Sequence, residues 1–507
     1  MSHLIEVSNP ATGEKIGQVK GISAKEGVKA IARAKKAQEL WAKKPLAQRV
    51  KVLQRFKKAL IDKADDFCRA ITLENGKPLM EAMITEVLPV VDITDYFCGH
   101  AAEILAKKPI SMHRLKYRKS YIHYKPRGVV FVISPWNFPF VIPVGEVIMS
   151  LIAGNAVIQK PASLTPLIAI KTRELMLEIG LDPNLYQVLP MKGEEAFKLI
   201  GVGVDYVNFT GSVATGEKVS AECGKHLIPC TMELGGKDPV IVCEDVNIGH
   251  AARCIAWGAF VNAGQVCASV ERVYVHESIY QKFVDKVVEV VKEMKIGDPF
   301  EDGISMGPMK DPHQLKIVAE HVDQARNNGA VILTGGYKID GPGLFYAPTV
   351  LVDVNDDMER VKEETFGPTM PIMKYSDIDE AVRRANDSPY GLNAYVFTAD
   401  RYKGQRIAEK LQAGTVMVNE VLITYGLPET PWGGVKKSGL GRVHGDAGLR
   451  DLCVPHHVNY DLPYQLPWSP FRYPYTHKKY RIFLNSLKTL WGQGIGAKLS
   501  GIRGLFK

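Results

Sequence analysis

Apolar residues recur at helical spacing through the first hundred positions and gather into short continuous runs after about Val129. Ser23-Ala24-Lys25-Glu26 has the form of a capping box and predicts a helix running to about Trp41. A second helix is predicted from Leu46, with Val50, Leu53, Phe56 and Leu60 on one face. A third helical region, from about Ala70 to His100, is broken by the turn signal Asn75-Gly76-Lys77-Pro78. These helices read as exposed-face elements without chemistry.

The later runs read as strands. Lys116 to Tyr124 mixes bulky and polar residues. Val129-Val130-Phe131-Val132-Ile133 is continuously apolar, as a strand buried on both faces should be. It ends at Ser134-Pro135-Trp136-Asn137-Phe138-Pro139, where the prolines forbid continuation. Ala156–Lys160, Tyr186–Leu189 and Asp205–Phe209 repeat the pattern, with Thr165-Pro166 expected as N-cap and first residue of a helix stopped by Gly180. A second alternating region follows: Pro239–Val242 as strand, Ile248–Phe260 as helix, Val273–Val275 as strand, Tyr280–Met294 as helix, then strands near 331, 371 and 394 and a late one at 455–460. Alternation at this spacing implies an α/β fold of βαβ units around parallel sheets, with ligands outside the carboxyl ends of the strands.

Composition narrows the class. The 507 residues suggest two or three domains, and 46% hydrophobic with 23% charged residues is ordinary for a globular protein. Neither a signal peptide nor a bilayer-length apolar run is seen, so the expected location is cytoplasmic. The eight cysteines are scattered without a CxxC pair, which argues against disulfides and a metal site and for a reducing compartment. The net charge of +9 is concentrated at one end: from Leu462 onward there are eight Lys and Arg and no Asp or Glu, which leaves +1 for the body.

Candidate chemistry clusters between Glu233 and Arg272. Glu233-Leu234-Gly235-Gly236 sets a carboxylate before a glycine turn, where it can serve as a base or merely as a loop carboxylate. Gly264-Gln265-Val266-Cys267-Ala268-Ser269 sets a lone cysteine among small residues, a nucleophile or a buried structural thiol. Asn137, bracketed by prolines, can donate to an oxyanion or simply form the turn. Lys160 at a strand end can meet a ribose or phosphate, or water. Gly211 and Gly216 frame a helix entrance suited to an anion, but the spacing is not the GxGxxG fingerprint.

Taken in order, eight short stretches make the chain resemble the NAD(P)-dependent aldehyde dehydrogenase superfamily. They are Pro135–Pro139, Lys160–Ser163, Phe209–Ser212, Glu233–Lys237, Gly264–Cys267, Glu364-Thr365-Phe366-Gly367-Pro368, Pro389–Leu392 and Gly433–Gly439. The resemblance spans residues 1 to about 460. It implies a Rossmann-type cofactor domain (1–110 and 127–235), a second α/β catalytic domain (236–437) and a small β oligomerisation element (111–126 and 453–461), hence a homodimer or homotetramer. It implies that Cys267 attacks an aldehyde, that Asn137 and the Cys267 backbone N–H hold the oxyanion, and that Glu233 activates water to release the acid. The cofactor, NAD or NADP, would be held by Ile133, Trp136, Lys160, Ser163, Gly211, Ser212, Glu364 and Phe366.

Two departures from the family pattern refine this. NAD-restricted members commonly carry Glu three residues after the lysine; here it is Ser163, so NADP should be accepted. Semialdehyde-specific relatives often carry Arg eight residues after the asparagine; here it is Gly145, followed by Glu146. A neutral aliphatic or aromatic aldehyde is therefore expected over a dicarboxylic semialdehyde, with a medium or long fatty chain as one form. The extension 462–507 goes beyond the usual family end. Its first half is rich in Pro and aromatics, including Tyr464 and Trp468, and its second half is a basic amphipathic segment. It reads either as a membrane-surface element or as an arm on the enzyme or a neighbouring subunit. No nucleic-acid module is recognisable. The rivals to an aldehyde-oxidising enzyme are a non-catalytic scaffold docking through the tail, a semialdehyde dehydrogenase, and a CoA-acylating relative, which generally lacks the base at Glu233.

Overall fold

The computed structural model describes residues 4–356, 358, 362–461 and 471–505. The chain forms two units, one of 1–106 with 123–456 and one of 107–122 with 457–507.

The first unit holds two parallel sheets. Strands β1 (Val129–Ile133), β2 (Ala156–Lys160), β3 (Tyr186–Val188), β4 (Tyr206–Thr210) and β5 (Cys230–Glu233) lie in the order β5-β4-β1-β2-β3. Every residue of β1 is buried, which is why its sequence shows no polar alternation. The order reverses at β1, since β2 lies on one side and β4 on the other. Register pairs Ile133 with both Lys160 and Phe209, and Thr210 with Glu233, so these carboxyl ends finish at one edge. A ligand site is expected at that edge, at the reversal of strand order.

The second sheet contains β6 (Asp238–Val242), β7 (Val270–His276), β8 (Val331–Thr334), β9 (Thr349–Val352), β10 (Thr369–Tyr375), β11 (Asn393–Phe397) and β12 (Thr415–Val418). They run in the order β8-β9-β10-β7-β6-β11-β12, and only β8 with β9 is antiparallel. Alternate residues of one strand enter opposite cores: Val240 and Val242 pack on one face, Ile241 on the other. The chain then returns to the first sheet. Strand β13 (Gly439–Leu440) pairs antiparallel with β5, and Trp432, Val443 and Leu449 join the first core.

Two expectations change. The region 70–100 is not an exposed surface helix pair. Helix Ala64–Asn75 is followed by Leu79–Ala82, a π-helical turn Met83–Val87 and Leu88–Ile104, and Glu74, Asn75, Lys77, Glu81 and Glu86 along it are buried. Thr165 does not cap the helix Leu167–Glu178. The carboxylate of Glu74 does, accepting from Leu167 N at 2.7 Å and Ile168 N at 2.9 Å, while Thr165 Oγ1 is buried without a partner.

In the second unit, Lys108–Pro109 pairs antiparallel with Tyr121–Ile122, and Ser120 hydrogen-bonds His457. Helices His477–Trp491 and Gly494–Leu505 form a hairpin. Small residues make its seam: a Cβ on Gly501 would meet Thr489 Oγ1 at 2.4 Å and Asn485 O at 2.7 Å. The large apolar side chains therefore stay outside, with Leu487, Leu490, Trp491, Ile495 and Leu499 exposed. Tyr464, Trp468 and the prolines at 463, 467 and 470 lie outside the described residues. Among the described residues no helix is long and apolar enough to cross a membrane.

Candidate active site

The eleven residues singled out in the sequence line one cleft of about 870 Å³. Ile133, Lys160, Gly211 and Glu233 reach it from the ends of β1, β2, β4 and β5, and Trp136 and Asn137 from the turn after β1. Ser163 comes from the loop after β2, Ser212 from the N-cap of helix Val213–Lys225, Cys267 from the loop before β7, and Glu364 and Phe366 from the loop before β10. Sequence reasoning missed further lining residues, among them Lys218 and Gln314.

Cys267 follows a strained turn. Asn262, Ala263 and Gly264 are all left-handed, at φ 52°, 54° and 71°. Buried hydrogen bonds hold them: Glu81 Oε2 accepts from Asn262 N at 2.9 Å, and Gln265 Nε2 donates to Asn262 O at 2.8 Å. The amide of Asn137 donates one N–H to Gln265 O at 3.0 Å, which fixes its orientation and leaves the second N–H available. Among the described residues the Cys267 backbone N–H donates to nothing. Two donors beside a thiol are what an oxyanion needs.

The carboxylates around the thiol act against its ionisation. Burial pushes the Cys267 thiol well above its usual range, with Glu233, Glu364 and Asp238 adding to it and only the Ala268 N–H opposing. Glu233 is itself 7% exposed. Trp432 Nε1 donates to its Oε2 at 2.7 Å, while Oε1 has no partner. Burial pushes Glu233 up to about 8, against Trp432 and the charge of Arg442. Burial also pushes Glu364 up to about 8, with the charge of Glu271 adding to it, although Gly236 N donates to its Oε1 at 3.0 Å. Below that pH the resting site is largely neutral, with a protonated thiol.

The segment dismissed as exposed supplies the support. Lys77 Nζ, fully buried, pairs with Glu86 Oε1 at 2.7 Å and donates to Asn137 O at 3.0 Å. It also lies 3.9 Å from the centre of the Phe138 ring. Asn262 Nδ2 and Asn75 Nδ2 donate to the same carbonyl, at 2.9 and 3.4 Å. Glu86 Oε2 accepts from Phe140 N at 3.0 Å and Val141 N at 2.7 Å, which starts the helix Val141–Ala153. Sequence spacing carries no signal for this, because the groups that meet Asn137 and Phe140 lie 54 to 125 positions away.

A second buried ion pair holds the opposite wall. Lys237 Nζ meets Glu271 Oε2 at 2.6 Å, and Glu271 accepts from Thr365 N at 2.8 Å and Phe366 N at 3.0 Å. That fixes Phe366 at φ 51°, edge-on to Trp136 with ring centres 5.6 Å apart. The cleft fits a dinucleotide on its own evidence. Lys160 is a half-buried cation, its ionisation opposed by burial, and it can meet an electron-rich ligand from outside the chain. Ser212 and helix Val213–Lys225 offer backbone N–H groups to an anion beside it.

Gly145 lies on the buried helix Val141–Ala153, where a Cβ would sit 3.5 Å from His444 Nε2 and 3.6 Å from Ile93 Cδ1. Burial lowers His444 to about 4, so this neighbour is neutral.

A family model described as the aldehyde dehydrogenase family matches residues 1–458. The chain is 38% identical over 464 residues to a putative succinate-semialdehyde dehydrogenase [NADP(+)] 2 of Mycobacterium ulcerans (strain Agy99), covering 90% of this chain and 89% of that one. It is 37% identical over 470 residues to a 4,4'-diapolycopene aldehyde oxidase of a Methylomonas species, covering 91% and 87%. Its fold is similar to a Staphylococcus aureus betaine aldehyde dehydrogenase solved with NAD+, at a TM-score of 0.87 and 31% identity over 92% of this chain and 94% of that one.

Proposed function

The chain belongs to the aldehyde dehydrogenase family and is an NAD(P)-dependent aldehyde dehydrogenase, and we propose that it oxidises a neutral, apolar aldehyde to the acid through Cys267. The thiol adds to the aldehyde carbonyl and yields its proton to a neighbouring base. The free N–H of Asn137 and the backbone N–H of Cys267 hold the oxyanion. NAD(P), when bound, supplies the hydride acceptor. Lys160, Ser163, Ser212 and Glu364 would hold it, in the cleft that Trp136 and Phe366 also line. The acyl group is then carried on Sγ as a thioester, and Glu233 draws a proton from water to release it. Ser163 sets no carboxylate against a 2′-phosphate, so NADP is accepted.

One observation carries the substrate class: apolar and aromatic side chains share a core with Cys267, and the cations Lys77 and Arg442 near that end of the cleft have partners within the chain. Phe138, Leu422 and Tyr425 pack on the same core as Cys267. Lys77 is committed to Glu86, Arg442 to the carbonyls of Gly434 and Gly441, and His444 is neutral. A distal carboxylate would find no charged partner in this set, and burying one without a countercharge is unfavourable by several kcal/mol, of order ~3. The Methylomonas relative, named for a polyene aldehyde, favours this reading; the name of the mycobacterial relative favours a semialdehyde instead. The exposed apolar and basic faces of the tail hairpin support docking on an anionic bilayer, where such aldehydes partition. The mostly exposed strand Cys453–Asp461 supports pairing with a second copy.

The deciding experiment is an initial-rate panel of short, long and polyene aldehydes with succinic semialdehyde, run with NAD and NADP. The expected outcome is kcat/KM at least about tenfold higher for the long apolar aldehydes and activity with NADP. A preference for succinic semialdehyde would replace the substrate reading. Retained activity in Cys267→Ala would remove the mechanism.

A further inference from the structure

Beside Glu233 lies a second carboxylate that the reaction scheme leaves unused. Glu146 projects from helix Val141–Ala153, 5% exposed, and accepts a hydrogen bond from Asn208 Nδ2 of β4. Glu146 and Glu233 line one small cavity with Thr210, Thr231 and Val443. Its free volume is about 10 Å³, the room one water requires. Two buried polar atoms among its lining residues are unpartnered: Glu233 Oε1 and Asn208 Oδ1. A small space with such buried acceptors and two carboxyls is a hydrated site by the ordinary rule that buried polar groups find partners.

We propose that Glu146 and Glu233 form one titrating pair, bridged by a water in this cavity, in which Glu146 keeps the shared proton once the pair has lost one and so leaves Glu233 ionised to act on the hydrolytic water. The inference rests on Glu233 being the base of thioester hydrolysis. Two buried carboxyls that share one water cannot both ionise readily, so as pH rises through about 8 they pass through a state with one proton between them. Only the form with that proton on Glu146 is competent. The hydrolytic water gives its proton to Glu233, its oxygen bonds to the acyl carbon, and the C–S bond breaks to release the acid. The pair then holds two protons and passes one to the thiolate that the broken C–S bond leaves on Cys267, which restores the resting thiol.

The other groups facing the pair are few. Cys267, Trp432 and Arg442 face Glu233; Tyr206, with its hydroxyl on Thr231 at 2.6 Å, faces Glu146; Tyr425 faces both, and His444 lies beside Gly145. Burial, with the neighbouring charge of Glu233, pushes Glu146 up to about 8, matching Glu233. Arg442 is the one cation in this set.

The test is Glu146→Gln, which keeps the shape and an acceptor for Asn208. Single-turnover hydrolysis of the acyl-enzyme, followed against pH, should rise over a broad range in the parent because two coupled ionisations are involved. In Glu146→Gln the rise should contract to a single step, with its midpoint about one pH unit lower once the like charge is gone. A merely structural role would scale the rate equally at every pH, and superimposable normalised profiles would overturn the pairing. Should the variant fold poorly, an infrared titration of the parent decides. Two coupled protonated-carboxyl bands ionising in succession near pH 8 support the pair, and a single independent ionisation overturns it. Glu233→Gln separates the two readings: hydrolysis that survives it removes Glu233 as base, whereas its loss alongside an unchanged Glu146→Gln profile removes only the pairing.

Discussion

Lys77 shows how far a single residue's role can lie from its appearance. In the sequence it is one lysine in a turn signal, and lysine is normally solvated. In the fold its ammonium is buried between Glu86 and the carbonyl of Asn137. Cys267, Glu233 and Asn137 were legible because each sits in a short local pattern that suits its chemistry. Lys77 was not, because its environment is assembled from a helix, a turn and a loop distant in sequence. Replacing Lys77 with Met should strand the Glu86 charge and destabilise the protein by about 3–5 kcal/mol. It should also release the Asn137 carbonyl and lower kcat. The double variant Lys77→Met with Glu86→Gln removes the stranded charge, so thermal unfolding should recover most of the stability while kcat stays low. Recovery of kcat along with stability would mean that the pair only braces the core.

At the scale of elements, the loop carrying Cys267 is the strained part. Two non-glycine residues, Asn262 and Ala263, hold left-handed conformations at about 1–2 kcal/mol each. Gly264 completes the turn, and a Cβ there would lie 2.2 Å from Gly367 O, so the loops bearing Cys267 and Phe366 touch through it. Gly264→Ala should therefore destabilise by at least about 2 kcal/mol and reduce activity by separating the two walls of the cleft. Ala263→Gly should stabilise by up to about 1 kcal/mol with activity retained. Urea midpoints beside kcat check both; an unchanged midpoint for Gly264→Ala would mean the loops part freely. The small residues of this turn were visible in the sequence. Its handedness was not, since neither Asn262 nor Ala263 announces a positive φ. The short strand β5 escaped for a related reason. Four residues of mixed character, Cys230 to Glu233, show no period, and pairing with β4 and β13 makes them a strand.

At the scale of the whole molecule, the alternation of strand and helix predicted two α/β regions, and two parallel sheets are present. The return of residues 432–453 to the first core was not predicted, because it depends on where an edge of β5 is left open rather than on any local pattern. The tail differs from both: its composition was plain in the sequence and its packing was not. Because the hairpin seam is built from Gly501, Ala497 and Thr489, many of its large apolar side chains are left exposed. Its described helices carry Lys478, Lys479, Arg481, Lys488, Lys498 and Arg503 and no acid. Apolar exposure alone would suit any hydrophobic partner, but this charge selects an anionic surface, at about 1 kcal/mol per cation near such a bilayer. The full chain should therefore sediment with phosphatidylserine vesicles and not with phosphatidylcholine alone, and binding should weaken as salt screens the attraction. A chain ending at residue 476 should remain in the supernatant with its activity on a water-soluble aldehyde unchanged, since the family match ends at 458. Equal sedimentation of the two chains would leave the hairpin as an arm for protein contact and remove the argument that the membrane supplies the aldehyde.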